Sequence, residues 1–421
     1  MPRRLFLPLL ALVLLVSCHP ATPKQYDPQQ VNFQAIYNPI FQDQLYPSML
    51  MGLASFSPDP DAISDTTALF SVSVTAPANG SVLRIAVDSS SLNYVTIFQE
   101  SLPTRGKRYT FYPQLKWKYE KLYHLRQQGP VDITFHCYIN DEEVDIKNLH
   151  LNYRSANDCL LSVRGQNGHM YDFRWLFAGY VNEEHPYIDS ILTTMLHQDV
   201  VQKINGYQAS SDGVVNQVEA IWYYALNRGI QYSSISCTPN PSKKLNVQHI
   251  RFFDEVYDTR QANCADACVF FASIMRKIGL KPVIFLNPCH AYLGYYTDKN
   301  RKSMRLLETT ITAWVNFPAL DRHHRETMRA NPGAKGHKVI SWQMYKKYGV
   351  YLSEAERKQW TNGKMSYEQF KHCIAHNLFL KASQHNVETH TQNLPYYKDK
   401  DNLQYQQLDI EQLRSLVQPI N

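Results

Sequence analysis

The sequence lacks a strong excess of charge of either sign: 43 lysines and arginines stand against 37 acidic residues, for a formal net charge of +6. Because the basic residues are scattered among the acids, the composition does not indicate a nucleic-acid partner. Beyond residue 17 no stretch is apolar enough to cross a bilayer, and no internal repeat or low-complexity tract occurs. The length of 421 residues therefore predicts two to three globular domains.

The N-terminus has the features of a secretion signal. Arg3 and Arg4 supply the positive start, and residues 5–16 form an apolar core that is short for a permanent membrane span. The end of this segment, Leu-Val-Ser-Cys at 15–18, resembles the bacterial lipobox, in which the cysteine is lipidated and becomes the mature N-terminus. The resemblance implies a signal peptide over 1–17, a lipid anchor on Cys18, and a place in the bacterial cell envelope, in the outer membrane or facing the periplasm. The alternative is a stray or buried cysteine after an ordinary cleavage site.

The cysteine count favours a free thiol. Of eight cysteines, seven remain once Cys18 is lipidated. An odd number in an exported chain leaves at least one thiol free unless another chain pairs with it, which suits a nucleophile. Four further cysteines are candidates for disulfides whose pairing the sequence does not give, namely Cys137, Cys159, Cys237 and Cys373.

The first part of the mature chain is predicted to be a tether followed by a β domain. Residues 18–60 are rich in proline, glutamine, asparagine and tyrosine and show little periodicity, which predicts a tether that holds the protein off a membrane. Residues 61–155 carry short alternating runs, such as 69–75, and a hairpin turn signal at Ala78-Asn79-Gly80. Short strands separated by turns over this length predict an immunoglobulin-like β-sandwich.

A cysteine stands at the start of an amphipathic helix pattern. After Cys264, apolar residues recur at three- and four-residue steps, and Gly279 gives a natural C-terminal stop. Cys264 therefore lies at or near a helix N-terminus, where the partial positive charge of the helix dipole favours a thiolate over a thiol. Cys268, one turn later, is predicted to fill a small position in the core.

Three short apolar runs follow this helix and predict strands at residues 282–286, 291–296 and 305–310. If adjacent strands are antiparallel, His290 and Glu308 lie side by side, and the helix packed on them presents Cys264 to His290. A thiol nucleophile needs a base that takes its proton and a third group that orients the base. The order Cys264, His290, Glu308 therefore predicts a catalytic triad.

This arrangement resembles the transglutaminase-like superfamily, whose core is related to the papain fold. The family pattern is a small residue and cysteine, an acid two residues later, a helix that ends in Arg-x-x-Gly-Leu/Ile-x-Pro, then His-Ala, then a strand that ends in Asp-x-Thr. The matching segments, within a resemblance that covers roughly residues 158–317, are Asn263-Cys264-Ala265-Asp266, the run from Arg276 to Pro282, His290-Ala291-Tyr292 and Glu308-Thr309-Thr310. Glu308 replaces the usual Asp, Tyr292 stands where Trp is common, and Ala262-Asn263 replaces the usual glycine before the cysteine.

The resemblance implies an α+β protein in which a papain/transglutaminase-like core over 156–325 follows the β-sandwich and precedes a helical extension over 326–421. It implies a cysteine peptidase or amidase, or an acyl transferase, that acts on peptide or protein amides, cell-wall peptides among them, and needs no cofactor and no metal. His290 would deprotonate Cys264, and Glu308 would orient His290. The alternative is a catalytically inactive binding or scaffold lipoprotein with the same fold.

Two metal-site alternatives have irregular spacings. The first is a zinc set whose Cys-x3-Cys and adjacent Cys-His elements are not a usual zinc spacing. Its members are Cys264, Cys268, Cys289 and His290. The second is the pair His372 and His376, which imitates a helical zinc pair but lacks the glutamate base between the histidines, so a surface or packed pair is predicted.

The donor for an oxyanion has three candidates. Gln231 and Tyr232 lie upstream of the nucleophile and carry donor side chains. The backbone N–H of Cys264 needs no particular side chain, and it is therefore the safer prediction.

Overall fold

The computed structural model describes residues 26–54, 69–165, 168–197, 200–234, 243–288, 290–332, 340–399 and 402–420. In these ranges the chain is an α+β protein, as the sequence predicts, with its strands in several sheets. Most buried apolar side chains of the two halves form one large cluster. No helix of the described segments combines the length and the apolar character that a bilayer span requires.

The elements are as follows. The α-helices are α1 Pro28–Val31, α2 Pro47–Gly52, α3 Tyr119–Tyr123, α4 Tyr187–Leu196, α5 Ser211–Arg228, α6 Phe253–Thr259, α7 Cys264–Lys277, α8 Phe317–Ala330, α9 Trp342–Tyr348, α10 Glu354–Thr361, α11 Tyr367–His385, α12 Val387–Lys398 and α13 Ile410–Leu413. The strands are β1 Gln34–Tyr37, β2 Gln44–Leu45, β3 Phe70–Thr75, β4 Ser81–Val87, β5 Thr96–Leu102, β6 Arg108–Phe111, β7 Gly129–Ile139, β8 Glu142–Tyr153, β9 Asp158–Arg164, β10 Met170–Asp172, β11 Gln231–Tyr232, β12 Leu245–His249, β13 Gln261–Ala262, β14 Pro282–Asn287, β15 His290–Tyr296, β16 Met304–Leu307 and β17 Gln406–Asp409. Short 3-10 helices are Pro39–Phe41, Arg174–Tyr180, Gly206–Gln208, Thr309–Trp314 and Gly349–Tyr351.

The N-terminal β unit contains two sheets, one in the order β2-β8-β7-β4-β5 and the other in the order β1-β3-β6. Every second side chain of β3 is buried, as the alternating sequence predicts. The rings of Phe70 and Phe135, one from each sheet, lie 5.7 Å apart, so apolar faces of the two sheets meet. The predicted hairpin at Asn79-Gly80 is wrong, because the turn joins β3 and β4, which belong to different sheets.

The prediction of a tether over 18–60 is wrong for its described part, residues 26–54. β1 pairs with β3 and β2 pairs with β8, so both strands extend the sheets of the β unit. Val31 and Leu45 are fully buried, and the hydroxyl of Ser48 donates to the carbonyl oxygen of Asp158 at 2.7 Å. The asparagines and prolines that suggested a solvated coil instead cap and start short helices.

The C-terminal half is built on an antiparallel sheet in the order β16-β15-β14-β17. α7 packs against β14 and β15, and Gly279, with a φ of 79°, follows its end as the sequence predicts. Along β14, Ile284 belongs to the large apolar cluster, whereas Val283 and Phe285 belong to a smaller one on the opposite face. The sheet is therefore covered on both faces. The candidate site lies at one end of its strands, where β15 begins and β16 ends.

The segment 326–421, predicted to be a helical extension, is helical only in part. The last turn of α8 and all of α9, α10, α11 and α12 are consistent with that prediction, but β17 pairs antiparallel with β14 and completes the sheet. Leu408 and Ile410 are buried. The prediction is wrong for β17 because a four-residue strand is too short to show a period that separates it from a loop.

Candidate active site

Cys264 is the first residue of α7. The side chain of Asn263 accepts a hydrogen bond from Asp266 N at 2.9 Å, and the side chain of Asp266 accepts one from Asn263 N at 2.9 Å. This reciprocal pair is a capping box, which fixes the direction of the first helical turn. The thiol is partly exposed and stands at the positive end of the helix dipole. The Cys264 side chain is thus held by local geometry that the sequence encodes.

Asp266 also ties this helix to the segment before α6. Its carboxylate accepts hydrogen bonds from Arg251 N at 2.8 Å and from Arg251 Nη1 at 2.7 Å. Burial raises the pKa of Asp266, although the hydrogen bonds from Asn263 and Arg251 oppose the rise. All of its contacts are with the helix cap and Arg251, so Asp266 supports the position of Cys264 and does not face the reacting groups.

His290 and Glu308 meet at the ends of two neighbouring strands. His290 is the first residue of β15, and Glu308 directly follows β16. Because Leu293 pairs with Leu307, the start of one strand lies beside the end of the other. His290 Nε2 and Glu308 Oε2 are 2.8 Å apart, within the range of a charge-assisted hydrogen bond. The third strand ends earlier than predicted, since Glu308 caps the 3-10 helix Thr309–Trp314.

Four hydrogen bonds hold the Glu308 carboxylate. Oε1 accepts from the backbone N of Thr310 at 3.0 Å and from its Oγ1 at 2.6 Å. Oε2 accepts from His290 Nε2 at 2.8 Å and from Asn386 Nδ2 at 2.7 Å. Burial alone would raise the pKa, but these hydrogen bonds and the charge of His290 outweigh it and lower the pKa of Glu308 to about 2. Glu308 is therefore an ionised acceptor at neutral pH.

The proton positions follow from this charge. An ionised carboxylate can only accept, so His290 Nε2 carries the hydrogen in its bond to Glu308. The other ring nitrogen, Nδ1, is left to interact with the side chain of Cys264. The hydrogen bond with Cys264 first, and the one with Glu308 second, raise the pKa of His290 to about 10. At neutral pH the imidazole therefore holds a proton that it could give to a leaving group.

The site opens to solvent through its base and nucleophile. The side chain of His290 is 34% exposed, whereas that of Glu308 is 3% exposed. Cys264 is also partly exposed. A carbonyl group can therefore approach the sulfur and the imidazole while the orienting carboxylate stays shielded from water.

Asn386 is a site residue that the sequence did not reveal. It lies between α11 and α12, is 8% exposed, and donates to Glu308 from 78 positions downstream. The nearby backbone supports this contact, since Glu308 N donates to Ala382 O at 2.9 Å. The only sequence signal is an asparagine between two helical segments, which is also what an ordinary helix end looks like.

Gln231 and Tyr232, the two side chains considered as oxyanion donors, form β11. This strand pairs in parallel with β13, which ends at Ala262, two residues before Cys264. The Gln231 side-chain amide donates to Val315 O at 3.1 Å, which commits it to holding β11 in place. The ring of Tyr232 is 45% exposed. The backbone N–H of Cys264 belongs to the first turn of α7, where N–H groups have no acceptor within their own helix. It is the best-placed donor beside the sulfur.

The other described cysteines lie in environments that disfavour their thiolates. Burial, with a contribution from Cys264, raises the pKa of Cys268 well above its ordinary value. Burial also raises the pKa of Cys373 to about 11, helped by Glu356. None of the described cysteines is in a disulfide, which leaves the predicted candidates Cys137, Cys159 and Cys373 as thiols. Cys18, Cys237 and Cys289 lie outside the described residues.

The metal alternatives find no support in the described part of the chain. There, no group of three or more His, Cys, Asp or Glu side chains is arranged to hold a metal ion. His372 and His376 contact different neighbours: the ring of His372 lies edge-on to Tyr223 at 4.4 Å, and His376 Nδ1 lies 2.7 Å from Glu219 Oε1. The two histidines therefore have separate partners.

No family model and no curated protein matches this chain. The candidate site is accordingly characterised by its own geometry, in which an imidazole is hydrogen-bonded to a buried carboxylate and interacts with a partly exposed thiol. Such an arrangement is able to carry out nucleophilic acyl chemistry.

Proposed function

We propose that this protein is a cysteine hydrolase, a peptidase or amidase, in which Cys264, His290 and Glu308 form the catalytic triad. The observation that carries the proposal is that His290 Nε2 lies 2.8 Å from the buried carboxylate of Glu308, while the same imidazole interacts with Cys264 at the start of α7. Each group has the environment that its role requires: an accessible nucleophile at a helix N-terminus, a half-exposed base, and a shielded, ionised acid.

The chemistry follows from these positions. The Cys264 thiolate attacks the amide carbonyl carbon, a C–S bond forms, and the carbonyl electron pair moves onto oxygen. The His290 imidazolium gives its proton to the leaving nitrogen, the C–N bond breaks, and a thioester remains. Neutral His290 then takes a proton from water, whose oxygen attacks the thioester, and the carboxylic acid and the thiolate are released. An amine in place of water gives acyl transfer.

Two further groups support these steps. The backbone N–H of Cys264 stabilises the oxyanion, since it lies beside the sulfur at the positive end of α7. Glu308 sets the orientation of His290 and stabilises its positive charge without accepting the proton itself. The low pKa of Glu308, about 2, agrees with that role.

The substrate class we propose is a peptide or protein amide, cell-wall peptides included. Support comes from the resemblance of the motifs around Cys264, His290 and Glu308 to those of transglutaminase-like proteins, an argument from analogy of fold and site. The same resemblance favours a papain-like core. The two facing sheets of the N-terminal unit are consistent with an immunoglobulin-like sandwich that orients substrate or spaces the core from a membrane.

We also propose that Cys18 is lipidated and anchors the protein in the bacterial cell envelope. The support is the sequence Leu-Val-Ser-Cys at the end of a short apolar segment, which lies outside the described residues. Full-length protein should incorporate a labelled fatty acid and enter the detergent phase on phase separation. A Cys18→Ala protein that is processed and still stays with the membrane would contradict the anchor.

The catalytic proposal is tested with a thiol-reactive probe on the folded protein. Cys264 should be labelled fastest at neutral pH, labelling should disappear in Cys264→Ala, and a control Cys373→Ala should label like wild type. A peptide library then identifies the cleaved bond. If Cys264 reacts no faster than Cys373, the protein is a non-catalytic binding or scaffold lipoprotein instead.

A further inference from the structure

Four hydrogen bonds restrain the carboxylate of Glu308. Relative to an aspartate, a glutamate carboxylate has one more rotatable bond, so its direction is less well fixed by the backbone. Thr310 holds Oε1 through its backbone N and its hydroxyl. Oε2, the oxygen that faces His290, has one other partner among the described residues, Asn386 Nδ2 at 2.7 Å.

We infer that Asn386 is a positioning residue that acts on the triad through Glu308, an inference that rests on the proposed hydrolase function. With Oε1 held by Thr310 and Oε2 held by Asn386, the plane of the carboxylate is fixed at both ends. The lone pair that meets His290 Nε2 then points in one direction, and the imidazole keeps Nδ1 turned to Cys264. Asn386 thus restores the rigidity that a longer acid gives up.

The chain around Asn386 is itself fixed to Glu308 and to β15, the strand that begins with His290. Four residues before it, Ala382 O accepts from Glu308 N at 2.9 Å. Four residues after it, His390 Nδ1 lies 2.9 Å from the hydroxyl of Tyr292, a residue of β15. The bend between α11 and α12 is therefore held on both sides, so Asn386 presents its amide from a rigid support and not from a mobile loop.

The chain offers a matched control in α11, the helix that ends directly before Asn386. Asn377, in α11, donates from its Nδ2 to Glu356 Oε2 at 2.8 Å and to Tyr351 O at 2.9 Å. The chemistry is the same as at Asn386, an asparagine amide bonded to a glutamate, but Glu356 makes no contact with the triad among the described residues. Loss of packing or of helix stability should therefore affect Asn377 and Asn386 variants alike, whereas loss of triad orientation should affect Asn386 variants alone.

The experiment measures the rate of Cys264 alkylation by iodoacetamide as a function of pH, with the site assigned by mass spectrometry, in four folded proteins: wild type, Asn386→Asp, Asn386→Ala and Asn377→Asp. Both Asn386 variants should lose about tenfold in rate at neutral pH, the loss expected for a missing hydrogen bond to a charged group. In Asn386→Asp two carboxylates meet at hydrogen-bond distance and share a proton, so its profile should show an additional transition. Asn377→Asp should keep the wild-type rate and profile.

The outcomes separate the two proposals. If wild-type Cys264 reacts like an ordinary thiol, the hydrolase function fails whatever the variants do. If wild type is fast but folded Asn386 variants match it in rate and profile, or if Asn377→Asp loses as much as they do, the positioning role is overturned and the hydrolase stands. Should Asn386→Asp not fold, the uncharged Asn386→Ala decides by its rate.

Discussion

Asn386 donates a hydrogen bond to Glu308 Oε2 at 2.7 Å, although 78 positions of chain separate the two residues. The proposed triad comes from a helix start, a strand start and a strand end that lie within 45 residues of one another in the sequence. The group that restrains its acid comes from the C-terminal helices, which therefore belong to the site.

Replacing Glu308 by Gln should slow Cys264 alkylation by about a hundredfold at neutral pH, because the amide loses the charge that stabilises the imidazolium and offers a donor where an acceptor is needed. The Cys264→Ala protein gives the background rate of alkylation. A control variant, Glu356→Gln, changes an acid next to Cys373 and should retain the wild-type rate. Equal rates for the two glutamine variants would contradict the orienting role of Glu308.

Turnover should fall at high pH as the imidazolium loses its proton. The pKa of His290 is raised to about 10 by its hydrogen bonds with Cys264 and Glu308, so the proton needed by the leaving nitrogen stays available through the neutral range and is lost as pH rises through about 10. In Glu308→Gln, one of these two interactions is weakened, and the alkaline limb of the pH–rate profile should move to lower pH. An alkaline limb that stays in place would show that Glu308 does not act on His290.

Low pH should remove the contribution that Glu308 makes to the free energy of unfolding. The pKa of Glu308 is about 2 in the folded protein against an ordinary value of 4.5, so its stabilising contribution is present above about pH 4.5 and is lost as pH falls through about 2. The shift corresponds to up to about 3 kcal/mol. Urea unfolding should show a gap between wild type and Glu308→Gln at neutral pH that narrows as pH falls towards 2. The exposed Glu368 provides a control, because Glu368→Gln should change stability little at any pH.

Removing the charge of Asp266 should destabilise the fold by about 3 kcal/mol, because Asp266→Asn breaks a buried ion pair and leaves Arg251 without its carboxylate partner. Asp212 occupies the first turn of α5 in the same way but is exposed, so Asp212→Asn should cost less than about 0.5 kcal/mol. The free energies of unfolding are measured by urea titration. Similar values for both variants would mean that the Arg251 contact contributes little.

The C-terminal segment that contains β17 and α13 should be essential to the stability of the core. Ile410 is fully buried directly after β17, and Ile410→Ala should lower the free energy of unfolding by about 2–5 kcal/mol through the cavity it leaves. Leu416, 44% exposed on the same segment, should tolerate the same change with an effect below about 1 kcal/mol. Equal effects at both positions would argue that this segment is only loosely attached.

The site was largely readable from the sequence because its signals are local. Cys264 follows a capping asparagine and precedes a helical period, and His290 and Glu308 lie at the ends of short apolar runs. What the sequence did not show is non-local. Asn386 has the same local context as any asparagine at a helix end, and only tertiary packing brings it to Glu308.

Amino-acid composition did not predict the structure of two described segments, residues 26–54 and β17. The segment 26–54 contains the prolines, glutamines and asparagines that suggested a tether, yet many of its apolar side chains are buried and it adds strands to two sheets. β17 reads Gln-Gln-Leu-Asp, with no run of apolar residues, and it is a strand because its backbone pairs with β14. In both cases partner strands far along the chain decide the structure, and a window of local sequence does not contain that information.

The pairing of β17 with β14 also sets an order of events during synthesis. A ribosome completes α7, β14, β15 and β16 well before residues 386–410 emerge, so the partially made chain holds the nucleophile but neither the restraint on its acid nor the last strand of its sheet. On the proposed function, reactivity of the thiol is deferred until this late part of the chain has joined the fold, and products truncated before residue 386 would carry Cys264 without its complete site.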